Sequence, residues 1–156
     1  TDTEVLAHLI EEKLKGNNYE DAVRLALKEV RGTYGLAILN ENEPEKIIAA
    51  RYFSPLLLGV GDGEYFVASD ASAVLKHTTK VIYLDDGELA VLTPKGHSVY
   101  DLGMRLRDKK TYELEWSLEK TQKKGFPHFM LKEIFEQPEA IEYSILGRLL
   151  AEEGLV

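Results

Sequence analysis

Apolar residues recur at helical spacing at the start of the chain, and then the period changes. Val5, Leu6, Leu9, Ile10 and Leu14 share one stripe of a segment otherwise built from Glu11, Glu12, Lys13 and Lys15, which predicts an amphipathic helix. Thr1 and Glu4 stand in capping-box spacing, where a hydroxyl accepts from the third helical N–H and the Glu side chain reaches back. Gly16-Asn17-Asn18 ends this helix. A second one follows, with Asn18 as its cap, Asp21 near the positive end of its dipole, and Ala22, Val23, Ala26, Leu27 and Val30 on one side. Gly32 stops it.

From Thr33 onward, short runs of Ile, Leu, Val and Tyr are separated by turn chemistry, which predicts a sheet region. Strands are expected near 34–39, 46–51, 56–60, 64–68, 80–84, 88–93 and 97–101. Their joints are Asn40 to Pro44, Gly61-Asp62-Gly63, Asp85-Asp86-Gly87 and Pro94-Lys95-Gly96, and most of these are hairpin-like. Leu36-Ala37-Ile38-Leu39 and Ile47-Ile48-Ala49-Ala50 are apolar on both faces, a pattern that predicts cover on both sides of the sheet. Ala71 to Leu75 is too short for more than two helical turns.

After Gly103 both charges mix densely from Arg105 to Lys124, interrupted at alternate positions by Tyr112, Leu114, Trp116 and Leu118. That alternation predicts one half-buried strand. Beyond Gly125-Phe126-Pro127, a short amphipathic helix is set up by Phe129, Met130, Ile134 and Phe135. Pro138 stands where it closes that helix or opens the next. Ile141, Ile145, Leu146, Leu149 and Leu150 then continue at helical spacing. There is no internal repeat and no low-complexity segment.

Composition narrows the function classes. The chain has 156 residues, 44% hydrophobic and 29% charged, which fits one compact domain, or one and a piece, with a sizeable core. With 19 Lys plus Arg against 27 Asp plus Glu the formal charge is -8, a field that repels polyanions, so no nucleic-acid or membrane-surface partner is expected. No apolar run approaches the ~18 residues that span a bilayer, and no basic-then-apolar leader opens the chain. A soluble, cytoplasmic protein is the expectation. Cys is absent, which excludes disulfides, thiolate metal sites and a cysteine nucleophile within these residues. The opening on Thr1 rather than Met predicts a piece of a longer polypeptide.

Candidate chemistry is sparse. Asp2 lies in the first turn of the first helix, where free N–H groups and the dipole favour a carboxylate. Its plain reading is a dipole-complementing surface acid, and its functional reading is a rigid partner for a cationic group such as a substrate ammonium. Ser54-Pro55 and Ser69-Asp70 lie at strand ends and read first as turn-formers. His8, His77, His97 and His128 show no metal-ligand spacing, so each reads as a scattered, satisfied histidine and no metal or cofactor is expected. Gly59-Val60-Gly61-Asp62-Gly63 lacks a following helix and reads as a hairpin rather than a phosphate cradle. Thr1 as an N-terminal nucleophile is disfavoured, because its hydroxyl is claimed by the helix cap.

These features alone give part of an α/β sandwich without an activity. The order of the segments adds more. Thr1-Asp2-Thr3-Glu4-Val5-Leu6-Ala7-His8-Leu9, Arg31-Gly32-Thr33-Tyr34-Gly35, Ala50-Arg51 with Ser54-Pro55-Leu56, Ala68-Ser69-Asp70, and the long run from His128 to Pro138 together resemble the second half of the glutaminase domain of the glutamine:fructose-6-phosphate aminotransferases. The resemblance covers essentially the whole chain. The His128–Pro138 run is its most specific part and separates that family from other amidotransferases of the same fold.

The resemblance implies an α+β fold, a four-layer αββα sandwich of the N-terminal nucleophile hydrolase type, here incomplete because its N-terminal half is absent. It implies a glutaminase part over 1–126 and a helical connection over 127–156 toward a sugar isomerase domain beyond Val156. Glutamine would be the substrate, and its ammonia would pass to fructose 6-phosphate to make glucosamine 6-phosphate. Of the family's functional positions only Asp2 is matched, as the acid that pairs with the α-ammonium of glutamine. The nucleophilic Cys, the oxyanion-hole Asn and Gly and the carboxylate-binding Arg would precede Thr1, so these residues alone are expected to be inactive. The full-length protein is expected to be a homodimer without a cofactor. Two rivals remain: a non-catalytic binding or regulatory module on the same scaffold, and the glutaminase domain of another amidotransferase, such as the phosphoribosylamine or asparagine enzymes.

Overall fold

The computed structural model describes residues 1–114 and 125–145. They belong to two compact units, one within Thr1–Glu115 and one within Trp116–Val156.

In the first unit, helix α1 (Asp2–Leu14) starts on the expected capping box: Thr1 Oγ1 accepts from Glu4 N at 3.4 Å, and Glu4 Oε2 lies 3.2 Å from Thr1 N. Helix α2 (Tyr19–Glu29) is capped by Asn18, whose side chain accepts from Asp21 N at 2.8 Å. The two helices bury Ile10, Tyr19, Val23, Ala26 and Leu27 against Ile48, Ala50 and Leu89 of a sheet. Burial pushes the Tyr19 hydroxyl up to about 12, and the neighbouring Glu43 adds to the shift.

Nine strands follow among the described residues: β1 (Tyr34–Leu39), β2 (Ile47–Tyr52), β3 (Leu57–Val60), β4 (Tyr65–Ala68), β5 (Lys80–Tyr83), β6 (Glu88–Thr93), β7 (Gly96–Asp101), β8 (Leu106–Arg107) and β9 (Tyr112–Glu113). They form two antiparallel sheets, one ordered β1-β2-β6-β7-β8 and the other β4-β3-β5-β9. The sheets pack face to face through Ala49, Ala90, Leu92 and Val99 on one side and Leu58 and Ile82 on the other, with Leu56 and Leu84 of the connecting loops. The outer face of the second sheet carries the 3₁₀ turn Ala71–Ala73, with Ala71 and Val74 packed on Leu57 and Val81.

Period-2 alternation accounts for both faces of β2. Ile48 and Ala50 meet the helices, while Ala49 meets the other sheet, and all three are fully buried. In β1 the expected cover on both faces does not hold. Tyr34, Leu36 and Ile38 pack on the helix side, but Gly35, Ala37 and Leu39 are exposed, Leu39 by 70%. The reason is position: β1 is an edge strand, and the inter-sheet cluster draws on β2, β6 and β7 but takes nothing from β1.

Three further expectations change. Asp85-Asp86-Gly87 is not a hairpin joint, because β5 and β6 lie in different sheets and the tripeptide carries the chain between them. The predicted strand over 112–118 is described only at Tyr112–Glu113, and Trp116 and Leu118 lie outside the described residues. In the second unit Pro138 neither closes nor opens a helix, because α3 (Phe129–Ile145) runs straight through it. One helical hydrogen bond is forfeited there, while the turns on either side stay helical. Phe126 stacks on Phe135 at 5.5 Å. Leu146, Leu149 and Leu150 lie outside the described residues. No helix among the described residues is long and apolar enough to cross a membrane.

Candidate functional site

Among the described residues the chain passes between the two sheets three times: from β2 to β3, from β5 to β6 and from β8 to β9. All three crossings meet at one end of the sandwich. Register explains this. Arg51, near the end of β2, pairs with Glu88, the first residue of β6, and both side chains share the inter-sheet face with Ala49 and Ala90.

A charge cluster occupies this end. Arg51 donates through Nη1 to the Leu84 carbonyl at 2.7 Å and through Nε to Asp86 Oδ1 at 3.2 Å. The same Asp86 oxygen accepts from the Phe53 N–H at 2.7 Å, and the Gly87 N–H returns to the Arg51 carbonyl at 2.9 Å. Glu88 is only 4% exposed, so its charge requires partners. Lys109 donates to Glu88 Oε2 at 2.8 Å and to Asp85 Oδ2 at 2.8 Å, while the Asp85 N–H donates to Glu88 Oε2 at 2.7 Å. Lys109 thus ties the third crossing to the second. Its hydrogen bond holds the Asp85 carboxyl below the usual range. Burial works against the Lys109 charge, yet hydrogen bonds to Asp85 and Glu88 outweigh it and raise its affinity for the proton. A cleft of about 440 Å³ beside the cluster is lined by Glu88, Arg107, Lys109 and Tyr112 among others.

Asp2 is the first residue of α1 and is exposed. Its Oδ1 accepts from Thr3 N at 2.8 Å, and its Oδ2 has no partner among the described residues. The carboxylate is therefore oriented by its own helix start, with one oxygen presented outward. No hydrogen bond or ion pair among the described residues joins Asp2 to the crossing-end cluster.

The other sequence candidates remain apart. Asp70 is a turn-former: it accepts from Ser72 N at 2.8 Å at the start of the 3₁₀ turn, and hydrogen bonds from Ser72 hold its carboxyl below the usual range. Ser54-Pro55 forms the first sheet crossing. Gly59 to Gly63 makes the β3–β4 hairpin, with Gly61 N donating to Glu64 O at 2.9 Å and Gly63 at φ +74°. The four histidines sit on separate elements. His8 lies 3.4 Å from Glu11, the ring of His77 lies against Phe66, and His128 is exposed. His97 meets the edge of Tyr65 at 5.3 Å, but its buried Nδ1 has no partner, so the expectation of a satisfied histidine fails there. Among the described residues no cluster of three or more His, Asp or Glu could hold a metal.

Asp86, Glu88 and Lys109 escape a reading by motif, and Arg51 enters only within the Ala50-Arg51 segment of the resemblance. Asp85-Asp86-Gly87 looks like turn chemistry, and only the charged Glu88 opening an otherwise apolar strand signals that a buried counter-charge must exist.

No family model matches the chain. A glutamine–fructose-6-phosphate aminotransferase (isomerizing) of Chlorobaculum tepidum is 50% identical over 159 residues, which cover all of this chain and 26% of that protein. The enzyme of the same name from Thermococcus kodakarensis is 52% identical over 161 residues, covering 98% of this chain and 27% of the relative. One from Thermus thermophilus is 50% identical over the whole chain and covers 26% of the relative. The chain spans about a quarter of the length of these relatives. Among solved structures, a Bacillus subtilis glutamine phosphoribosylpyrophosphate amidotransferase complexed with ADP and GMP matches with a TM-score of 0.55 and 27% identity. That match covers 68% of this chain and 23% of that one. A structure described as the allosteric regulatory enzyme of purine biosynthesis matches with a TM-score of 0.54 and 28% identity, over 67% of this chain and 22% of its own.

Proposed function

Because the chain belongs to the glutamine–fructose-6-phosphate aminotransferase family, we propose that it is the second half of the glutaminase domain of such an enzyme, which hydrolyses glutamine and passes the ammonia to fructose 6-phosphate. The observation that carries this reading is identity near one half over the whole chain to relatives that share one name. In this reading 1–126 belong to the glutaminase domain and 127–156 lead toward a sugar isomerase domain. A preceding segment supplies the nucleophilic Cys, the oxyanion-hole donors and the Arg for the substrate carboxylate. The same segment completes the four-layer αββα sandwich by covering the exposed face and free edge of β1, a face that otherwise leaves Leu39 in water. The assembled enzyme is a cytoplasmic homodimer.

Asp2 pairs with the α-ammonium of glutamine. Its support is geometric: the carboxylate is fixed by the Thr3 N–H and the helix dipole before substrate arrives, and one oxygen faces outward. The ordering entropy of that contact is thereby reduced.

The test has two arms. The 156 residues alone release no glutamate from glutamine, whereas the complete polypeptide does; turnover by the isolated chain would sink the assignment of the nucleophile to a preceding segment. In the complete polypeptide Asp2→Asn costs about 2 kcal/mol of glutamine binding, a roughly thirtyfold rise in KM for glutamine, with KM for fructose 6-phosphate unchanged. Equal rises for both substrates would reduce Asp2 to a helix-start acid.

A further inference from the structure

Helix α3 wears its apolar side outward. At about 100° per residue, Met130, Ile134 and Ile141 fall within about 40° of one another and form one stripe along the helix. All three are solvent-exposed, at 72%, 50% and 60%. Lys132 stands on the opposite side and is only 8% exposed, with its Nζ 3.3 Å from Glu136 Oε2. The helix therefore covers its cation and bares its apolar stripe, the reverse of what solvation favours for a surface helix.

A contiguous apolar patch left in water marks a contact surface, and charge narrows what fits it. Over Phe129–Ile145 the sequence sets one cation, Lys132, against Glu133, Glu136, Glu139 and Glu142. A second copy of this helix would bring acid against acid, which weakens association. A surface rimmed by Lys or Arg would instead complement Glu133, which borders the stripe and is exposed. Length narrows the choice further. This chain amounts to about a quarter of each relative, so most of a polypeptide of that family lies outside it, and α3 is the last element among the described residues.

Resting on the family reading above for the existence of further polypeptide, we infer that the Met130–Ile134–Ile141 stripe docks on an apolar surface with a basic rim carried by that polypeptide. In the complete protein a disulfide reagent labels Ile134→Cys about tenfold more slowly than Glu139→Cys, whose site is exposed on the other side of the helix. Ile141→Cys is slowed like Ile134→Cys and guards against a folding defect in the first variant. Peptide mass measurement keeps these thiols apart from any other cysteine. Zero-length carbodiimide coupling joins Glu133 to a lysine outside the 156 residues. Equal labelling rates at the three positions would overturn the inference. So would links from Glu133 that stay within these 156 residues, of the same chain or of a second copy, or the absence of any link. Slow labelling in a protein that does not hydrolyse glutamine removes the glutaminase reading and leaves the docking intact, whereas fast labelling in one that does hydrolyse it has the opposite result.

Discussion

The two ends of the sandwich are closed in different ways. At one end the hairpins β1–β2, β3–β4 and β6–β7 turn back within their own sheets, held by bonds between near neighbours such as Glu43 N to Asn40 O at 3.0 Å and Gly61 N to Glu64 O at 2.9 Å. At the other end lie all three connections that change sheet, beside the short β7–β8 turn, and long-range bonds hold these crossings together, linking positions 21 to 36 apart in sequence, as in Lys109–Glu88 and Gly87–Arg51. The hairpin end does have a charge contact: Lys46 is paired with Glu20 at 2.7 Å and with Glu43. It differs in burial. The Lys46 side chain is 20% exposed against 24% for that of Glu20, whereas the side chains of Glu88 and Lys109 are 5% and 14% exposed. Each local turn is held by its own bonds, while the bonds of the crossing end share Arg51, Asp85, Asp86, Glu88 and Lys109.

Substitutions should rank accordingly. The largest effect is expected for Glu88→Ala, which leaves Lys109 short of a buried partner and should cost about 3 kcal/mol in urea unfolding. Lys46→Ala, the matching lesion at the hairpin end, should cost about 1 kcal/mol in the same assay. Equal values would show that burial does not set the two ends apart. Gly87→Ala and Gly63→Ala provide a control, one at each end, with φ of +77° and +74° and open space around both. Each should cost about 1 kcal/mol, because the penalty is backbone strain alone, and a much larger value at Gly87 would mean that the crossing is sensitive to more than charge.

The smallest effect concerns pH. Hydrogen bonding to Lys109 lowers the folded-state pKa of Asp85 below its value of 3.8, so its contribution to stability is fully present above the unfolded pKa and is lost as pH falls through the folded one. The stability gap between the unmutated chain and Asp85→Asn should stay below about 1 kcal/mol at neutral pH, since the side chain is largely exposed. That gap should close below about pH 4. A gap that persists in acid would assign the effect to packing instead.

How much of this was legible in the sequence follows from which interactions are local. The helix starts at Thr1 and Asn18, and the strands bounded by Gly, Asn and Pro, are written in neighbouring residues and appear where the pattern predicts them. Sheet membership is not. Asp85-Asp86-Gly87 and Pro94-Lys95-Gly96 carry the same turn chemistry, yet one crosses between sheets and the other closes a hairpin. The difference lies in partners such as Arg51 and Lys109, which no local window contains. The exposed face of β1 was hidden for the same reason, because its apolar alternation matches that of β2 and only the neighbouring sheet distinguishes them. Asp2 was legible as a helix-start acid, and its outward oxygen emerged from the geometry.

The spacing of the Arg51–Asp86 pair also bears on the order of folding. A hairpin such as β6–β7 closes after a two-residue turn, in roughly microseconds, whereas joining positions 35 apart carries a greater loop-closure cost. A nascent chain can pair β1 with β2 before Asp86 has been synthesised, so the bond from the Phe53 N–H to Asp86 can form only after the second crossing has been added. That bond therefore belongs with the long-range contacts of the crossing end rather than with the local turns.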